Sequence, residues 1–287
     1  MIYLTREDWN KFMLSKLSRE EIFKQECLEL YKIYNAVQSF CKKIYANPNE
    51  QQNVFIAAMI TFHKYRISSN LSINQSSAED IYILLGACLF IGQRAINVLK
   101  INLENIAFFI NQLINNKNQN YKLSINDLNK KLIQKEYDIL TSIGFNIEID
   151  SPYQFFCKLK YYFSKSKINS PNFVILLSYI IKDSLILPIS LYYTPNIIAI
   201  SCIKIIIEKY NINFINIKDL ISLSDYNLDD KDIDECELLI QKIQATINEK
   251  KSMKNYNNSI NEEKGKEKDN ISDKSKVNPI PKEYSIK

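Results

Sequence analysis

The chain has 287 residues, 46% of them hydrophobic, and a formal net charge of +5 at pH 7. Only 4 residues are glycine and 7 are proline, too few for the turns and left-handed positions of a β sandwich, so the composition points to helices joined by polar loops. The charge is mild for a nucleic-acid binder, which concentrates basic residues on one face. Six scattered cysteines, no CxxC pair and a single His63 argue against a zinc site.

Helix starts are well marked along the chain. Thr5 to Asp8, Ser18 to Glu21, Ser77 to Asp80 and Ser124 to Asp127 place a hydroxyl N-cap three residues before an acid. Asn47-Pro48, Ser151-Pro152, Ser170-Pro171 and Thr194-Pro195 place a capping residue before a proline at the first helical position. A last start falls at Asn227. Apolar residues then recur at helical spacing, as in Phe23, Cys27, Leu30, Tyr34, Val37, Cys41 and Ile44. Helices are expected at about 5–16, 20–46, 48–66, 78–93, 101–116, 124–143, 151–165, 171–187, 195–210, 216–223 and 229–247, with no strand.

The stretch Tyr82 to Arg94 is apolar on every side of a helical wheel, with Gly86, Ala87, Cys88 and Gly92 in its middle. Such a helix is buried all round, and its small residues let neighbouring helices come close. It ends in Arg94, a cation at the negative end of the helix dipole. The extended connector Gly144 to Asp150 divides the helices into two sets of five. In each set the third helix is the apolar one with small residues at its centre, Gly86 to Cys88 in the first and Ala199 to Cys202 in the second. This order predicts two copies of one unit, 20–145 and 151–249, after an N-terminal helix within 1–19. From 250 to 287 the chain is charged, polar and without periodicity, and a disordered tail is expected.

The chemistry present is sparse. The scattered glycines write neither GxGxxG nor a P-loop, and no cofactor or metal is expected. His63 ends an apolar helix and reads as structural. The acid pairs Glu20-Glu21 and Asp229-Asp230 occupy helix first turns, where the dipole explains them. Lys160-Tyr161-Tyr162 has the residue types that stack bases, yet its helical spacing reads as core or rim. Most cysteines fall in apolar patterns, as buried reduced thiols of an intracellular protein do. The first residues carry no apolar run of signal-peptide type. Ile189 to Ile207 contains Pro195 and Lys204, short of the ~18 clean apolar residues of a membrane span. A soluble protein without an active site is expected.

One carboxylate stands out. Glu136 lies on the apolar stripe of Ile125, Leu128, Leu132, Ile139 and Ile143, about 40° from Leu132 at the rotation of an α-helix. An acid facing inward needs a partner. Two readings stand open: a structural ion pair, with Arg94 as a candidate, or a polar anchor at the edge of a docking surface, bonding the exposed backbone end of a partner's helix.

Several short segments resemble one family. Gly86-Ala-Cys-Leu-Phe-Ile91, Phe62-His-Lys-Tyr65, Glu136-Tyr-Asp-Ile-Leu-Thr-Ser-Ile-Gly-Phe145, Ser151-Pro-Tyr-Gln-Phe155, Asp183-Ser-Leu185 with Tyr193-Thr-Pro-Asn-Ile-Ile-Ala199, and Leu4-Thr-Arg-Glu-Asp-Trp9 are similar, in order and spacing, to motifs of the transcriptional cyclins of K, T and L type, the K type most. The resemblance covers about 3–247. It implies an all-α protein of two tandem five-helix cyclin-fold repeats plus a short N-terminal helix. It further implies a non-catalytic subunit, nuclear with the cytoplasm as a second compartment, that binds and activates a cyclin-dependent protein kinase acting in transcription or RNA processing. No membrane and no direct nucleic-acid partner is expected. In the family a Lys on the third helix and a Glu on the fifth bond the kinase's mobile helix; Arg94 stands at the Lys position and Glu136 at the Glu. Where the family continues Val-Glu-Glu this chain has Ala95-Ile96-Asn97, which implies a more apolar edge to which Ile96 and Phe108 contribute. Two alternatives remain: a DNA-binding general transcription factor of TFIIB type, which needs a zinc ribbon absent before Ser18, and a kinase-independent scaffold, suggested by Ala95-Ile96-Asn97.

Overall fold

A computed structural model describes residues 4–12, 19–71, 76–98, 100–117, 124–162, 171–210, 218, 221–222 and 228–272. Every regular element among them is helical: α1 (Arg6–Phe12), α2 (Glu20–Ile44), α3 (Pro48–Ser68), α4 (Ala78–Ala95), α5 (Leu103–Lys117), α6 (Ile125–Ser142), α7 (Pro152–Tyr162), α8 (Pro171–Ser184), a 3₁₀ turn (Pro188–Leu191), α9 (Pro195–Lys209) and α10 (Asp230–Ser272). The helix expected at 216–223 falls outside the described residues apart from 218, 221 and 222, as do Ser18, Ser170 and Asn227.

The caps explain most boundaries. Thr5, Ser77 and Ser124 accept the N–H of Asp8, Asp80 and Asp127 at 3.1 Å, and each hydroxyl donates to that same acid's carboxylate. Asn47 accepts from Asn49 N–H, and Ser151 from Tyr153 N–H. Two starts differ from expectation. α2 is preceded by Arg19, which makes no side-chain cap; Glu20 and Glu21 in its first turn face the dipole instead. α10 starts after Asp229, whose carboxylate accepts the N–H of Lys231 at 3.0 Å. At the C-termini asparagine takes the place that glycine usually holds. Asn70 (φ 50°) follows α3 and Asn97 (φ 57°) follows α4, and Val98 N–H closes back onto Gln93 C=O at 2.8 Å.

α4 is buried from Ile83 to Gln93 and packs against α3, α5 and α6. Its two glycines are what permit this. A Cβ at Gly86 would lie 2.6 Å from Ile110 Cδ1 and 3.1 Å from Leu132 Cδ2; one at Gly92 would lie 2.9 Å from the Ala58 backbone nitrogen. α3 shares the central place. Every side chain from Val54 to Arg66 is buried, which its polar residues hide from a helical wheel. Those residues are anchored. Thr61 donates to Ala57 C=O at 2.9 Å, Lys64 to Asn146 C=O at 3.2 Å and Glu148 C=O at 2.8 Å, and Arg66 to Glu26 of α2. His63 Nε2 lies 2.8 Å from Leu185 C=O, a geometry that makes it the N–H donor. α3 thus meets α2, α4, the connector and the 3₁₀ turn.

In the second half α9 is buried from Ile197 to Ile203 and packs against α7 and α8. Ser201 donates to Ile233 C=O at 3.0 Å, and Lys204 pairs with Asp234 and Glu237, each at 2.7 Å, so α9 holds the start of α10. Cys27, Cys41, Cys88, Cys202 and Cys236 are buried thiols and Cys157 is exposed. The chain divides into two compact units, Met1–Gln244 and Ala245–Lys287. The first contains both helical sets. In the second, where the sequence suggests disorder from 250, α10 continues to Ser272. Residues 245–272 contain no proline and many Lys and Glu, which suit a helix; 273–287 lie outside the described residues. No described helix is long and apolar enough to cross a membrane.

Two predictions follow from the packing. Gly92→Ala will lower stability by about 1–3 kcal/mol, because backbone atoms of α3 obstruct it. Gly86→Ala will cost less, since only the ends of Ile and Leu side chains must move; denaturant unfolding of both variants compares them. His63 gives a pH dependence. Burial pushes its pKa down from 6.5 to about 3, so the unfolded chain binds more protons between those values. The stabilisation by neutral His63 is complete above pH 6.5 and falls as pH drops, by about 1.4 kcal/mol per unit. In His63→Gln that slope, measured by chemical denaturation between pH 7 and 5, will be reduced.

Candidate functional site

The last turn of α4 carries Arg94 out of the core beside α6. Arg94 Nη1 lies 2.7 Å from Glu136 Oε1, with half of the Arg94 side chain in solvent and Glu136 13% exposed. The guanidinium carbon also stands 4.1 Å from the centre of the Phe90 ring, a cation–π contact that holds the side chain against α4. Burial raises the Glu136 pKa, and Arg94 opposes that rise. The ion-pair reading of Glu136 is therefore met in the structure. The docking reading is compatible with it, because the pair lies at the surface and Arg94 has no other carboxylate among the described residues.

Of the other two residues singled out from the sequence, Phe108 is 53% exposed on α5, while Ile106, Ala107, Phe109 and Ile110 on the same helix are buried. Ile96 is half-buried at the turn that ends α4, just before left-handed Asn97. Arg94, Phe108 and Glu136 thus belong to α4, α5 and α6, which pack against one another, and Ile96 follows α4 directly.

Three further apolar residues were missed. Ile133, Tyr137 and Phe145 are 56%, 59% and 61% exposed. Ile133 and Tyr137 are one turn apart on α6, about 100° and 140° from Leu132 at the helical rotation, with Glu136 between them and the buried stripe. The sequence carries a signal for two of them: Ile133 and Tyr137 are large apolar residues off the core stripe of a helix whose other exposed positions are all polar. Phe145 has φ 56° and is held by its N–H on Leu140 C=O at 2.7 Å. A bulky aromatic in left-handed backbone, left in water, gains nothing for the monomer. Large apolar side chains left exposed on a helix are a feature of interaction surfaces more than of catalytic ones.

Among the described residues the other groups singled out from the sequence have structural roles. His63 is fully buried on a backbone carbonyl, Glu20 and Glu21 sit in the first turn of α2, and Asp229 caps α10. The side chains of Lys160, Tyr161 and Tyr162 lie outside the described residues.

No protein-family model matches the sequence, and no curated protein matches it. Solved structures do. A chain of the yeast RNA Pol II CTD kinase CTDK-1 complex aligns with a TM-score of 0.60 at 18% identity, covering 84% of this chain and 72% of that one. A chain of the yeast TFIIK complex aligns at 0.57 and 14% identity, covering 84% and 96%. A viral cyclin from herpesvirus saimiri aligns at 0.52 and 16% identity, covering 78% and 84%. At such identities the likeness is one of fold: the chain has the all-α, two-repeat cyclin fold that the sequence motifs suggest.

Proposed function

We propose that this chain is a cyclin-like regulatory subunit that binds and activates a cyclin-dependent protein kinase acting in transcription or RNA processing, in the nucleus. It has no catalysis of its own. The observation that carries the proposal is the Arg94–Glu136 pair, with Ile133 and Tyr137 exposed on the helix that carries Glu136, Phe145 exposed just after it and Phe108 exposed on α5. A half-exposed cation next to a partly buried carboxylate can bond the polar end of a partner's helix while the apolar residues cover its side. Ile96 extends the apolar edge. A subunit that packs better against the active than the inactive arrangement of a kinase shifts its population toward activity. The company of the fold supports the class of partner, since two of the similar chains come from complexes named for a polymerase-tail kinase and for TFIIK. The motif resemblance supports the same reading, with 1–19, 20–145, 151–249 and 250–287 as N-terminal helix, two repeats and tail.

The test is to purify tagged protein from its own cells, identify bound proteins by mass spectrometry and assay the eluate on a polymerase-tail peptide. A stoichiometric kinase with activity is expected. A kinase without activity would point to a scaffold, and promoter factors in its place would point to a DNA-bound role. Glu136→Arg sets a like charge against Arg94 and the partner, and should weaken the kinase complex at least about 100-fold. Tyr137→Ala should weaken it about tenfold, and Tyr179→Ala on α8 should not. Glu136→Gln alone should change monomer stability by less than about 1 kcal/mol, because the pair's cation is half in solvent and an ion pair so placed contributes little. Unaltered kinase binding by Glu136→Arg sinks the assigned surface.

A further inference from the structure

Gly144 and Phe145 follow α6 with φ of 60° and 56°, two left-handed residues in succession. Glycine takes that conformation freely and phenylalanine does not. Phe145 is also 61% exposed, so packing within this chain does not offset the strain. Such a backbone persists only where its surroundings fix it, and here they do so from both sides. On the helix side, Phe145 N–H donates to Leu140 C=O at 2.7 Å and Asn146 N–H to Ile143 C=O at 3.2 Å. On the connector side, Ile147 N–H donates to Phe145 C=O at 3.1 Å. The Lys64 ammonium donates to the carbonyls of Asn146 and Glu148, the residues on either side of Ile147, at 3.2 and 2.8 Å.

Lys64 is 6% exposed on α3. Burial lowers its pKa, and Glu148 and Asp150 support its charge. An apolar side chain would fill the same space without the cost of burying a cation. What the ammonium adds is a hold on the main chain, and both hydrogen bonds go to the stretch that begins right after Phe145.

We infer that Lys64 is a positioning residue for the partner: it holds the connector so that Phe145 is presented to the kinase already ordered. The inference rests on the reading of α5 and α6 as the kinase-binding side, to which Phe145 adds its ring. A contact residue ordered before association binds more tightly, because fixing it costs nothing at the moment of binding.

The test is a double-mutant cycle on the full-length protein, titrated against the kinase recovered with it from its own cells. Lys64→Met should weaken binding about tenfold, as should Phe145→Ala. Together they should bind within about twofold of Phe145→Ala alone, because Lys64 acts through that ring. In a Tyr137→Ala background Lys64→Met should still cost about tenfold, since Tyr137 stands on α6 and not on the connector. General loosening of the fold would instead weaken binding equally in both backgrounds. Lys64→Gln, which keeps an N–H donor on a shorter side chain, takes the place of Lys64→Met in the cycle if that variant does not fold. Hydrogen exchange on the free wild-type protein gives a reading without any variant: the amides of Phe145 and Ile147 should exchange at least about 100-fold more slowly than unstructured amides. Unstructured exchange rates there, wild-type affinity in the Lys64 variant, or an equal cost in the two backgrounds overturns the inference and leaves the kinase reading standing. A wild-type protein that binds no kinase overturns both.

Discussion

A helix buried on all sides can carry polar side chains only where each finds a partner, because an unpaired polar group out of water costs more than its packing returns. α3 is such a helix from Val54 to Arg66, and its polar groups are spent on holding other parts of the molecule. Arg66 reaches Glu26 of α2, His63 reaches Leu185 beyond α8, and Lys64 reaches two carbonyls of the connector. Lys64 is buried and burial lowers its pKa, yet it keeps the acids Glu148 and Asp150 nearby to support its charge. The two helical sets are thus joined by hydrogen bonds from one helix as well as by apolar area.

That arrangement decides where the exposed surface can be. α3 and α4 are closed on every side by their neighbours, with Gly86 and Gly92 setting how near those neighbours come. α5 and α6 are the outer members of the first set and have a free side. Phe108 is exposed on α5, Ile133 and Tyr137 are exposed on α6, and the Glu136–Arg94 pair joins α6 to the end of α4. Burial still disfavours the Glu136 charge, and Arg94 offsets part of that cost.

Much of this was legible in the sequence, for reasons that differ by residue. Ser77, Ser124 and Asn47 mark helix starts because a cap is a local interaction, fixed within four residues. α4 was found because nothing polar interrupts it, and Glu136 because it breaks a stripe. His63 reads as structural from its place on an apolar helix, but the burial of Lys64 and Arg66 beside it is hidden, because their carbonyl and carboxylate partners lie 40 or more residues away. Ile133 and Tyr137 lie off the buried stripe of α6, and only the burial of the folded chain shows how far they stand in solvent. Asn70 and Asn97, which nothing in the helical pattern singles out, hold left-handed turns that a chain with so little glycine makes with asparagine.

The Lys64 clamp has a mechanical consequence. α6 runs through Phe145 into the connector, whose carbonyls at Asn146 and Glu148 are held by that one ammonium. A hinge needs a few residues whose torsions are free to change, and this junction has had its freedom removed at the point where the two halves meet. A force applied to α6 would be transmitted to the second set of helices and not absorbed by bending. Whatever seats itself on the outer side of α5 and α6 therefore meets a stiff platform, and little of its binding energy is lost to ordering the chain beneath it.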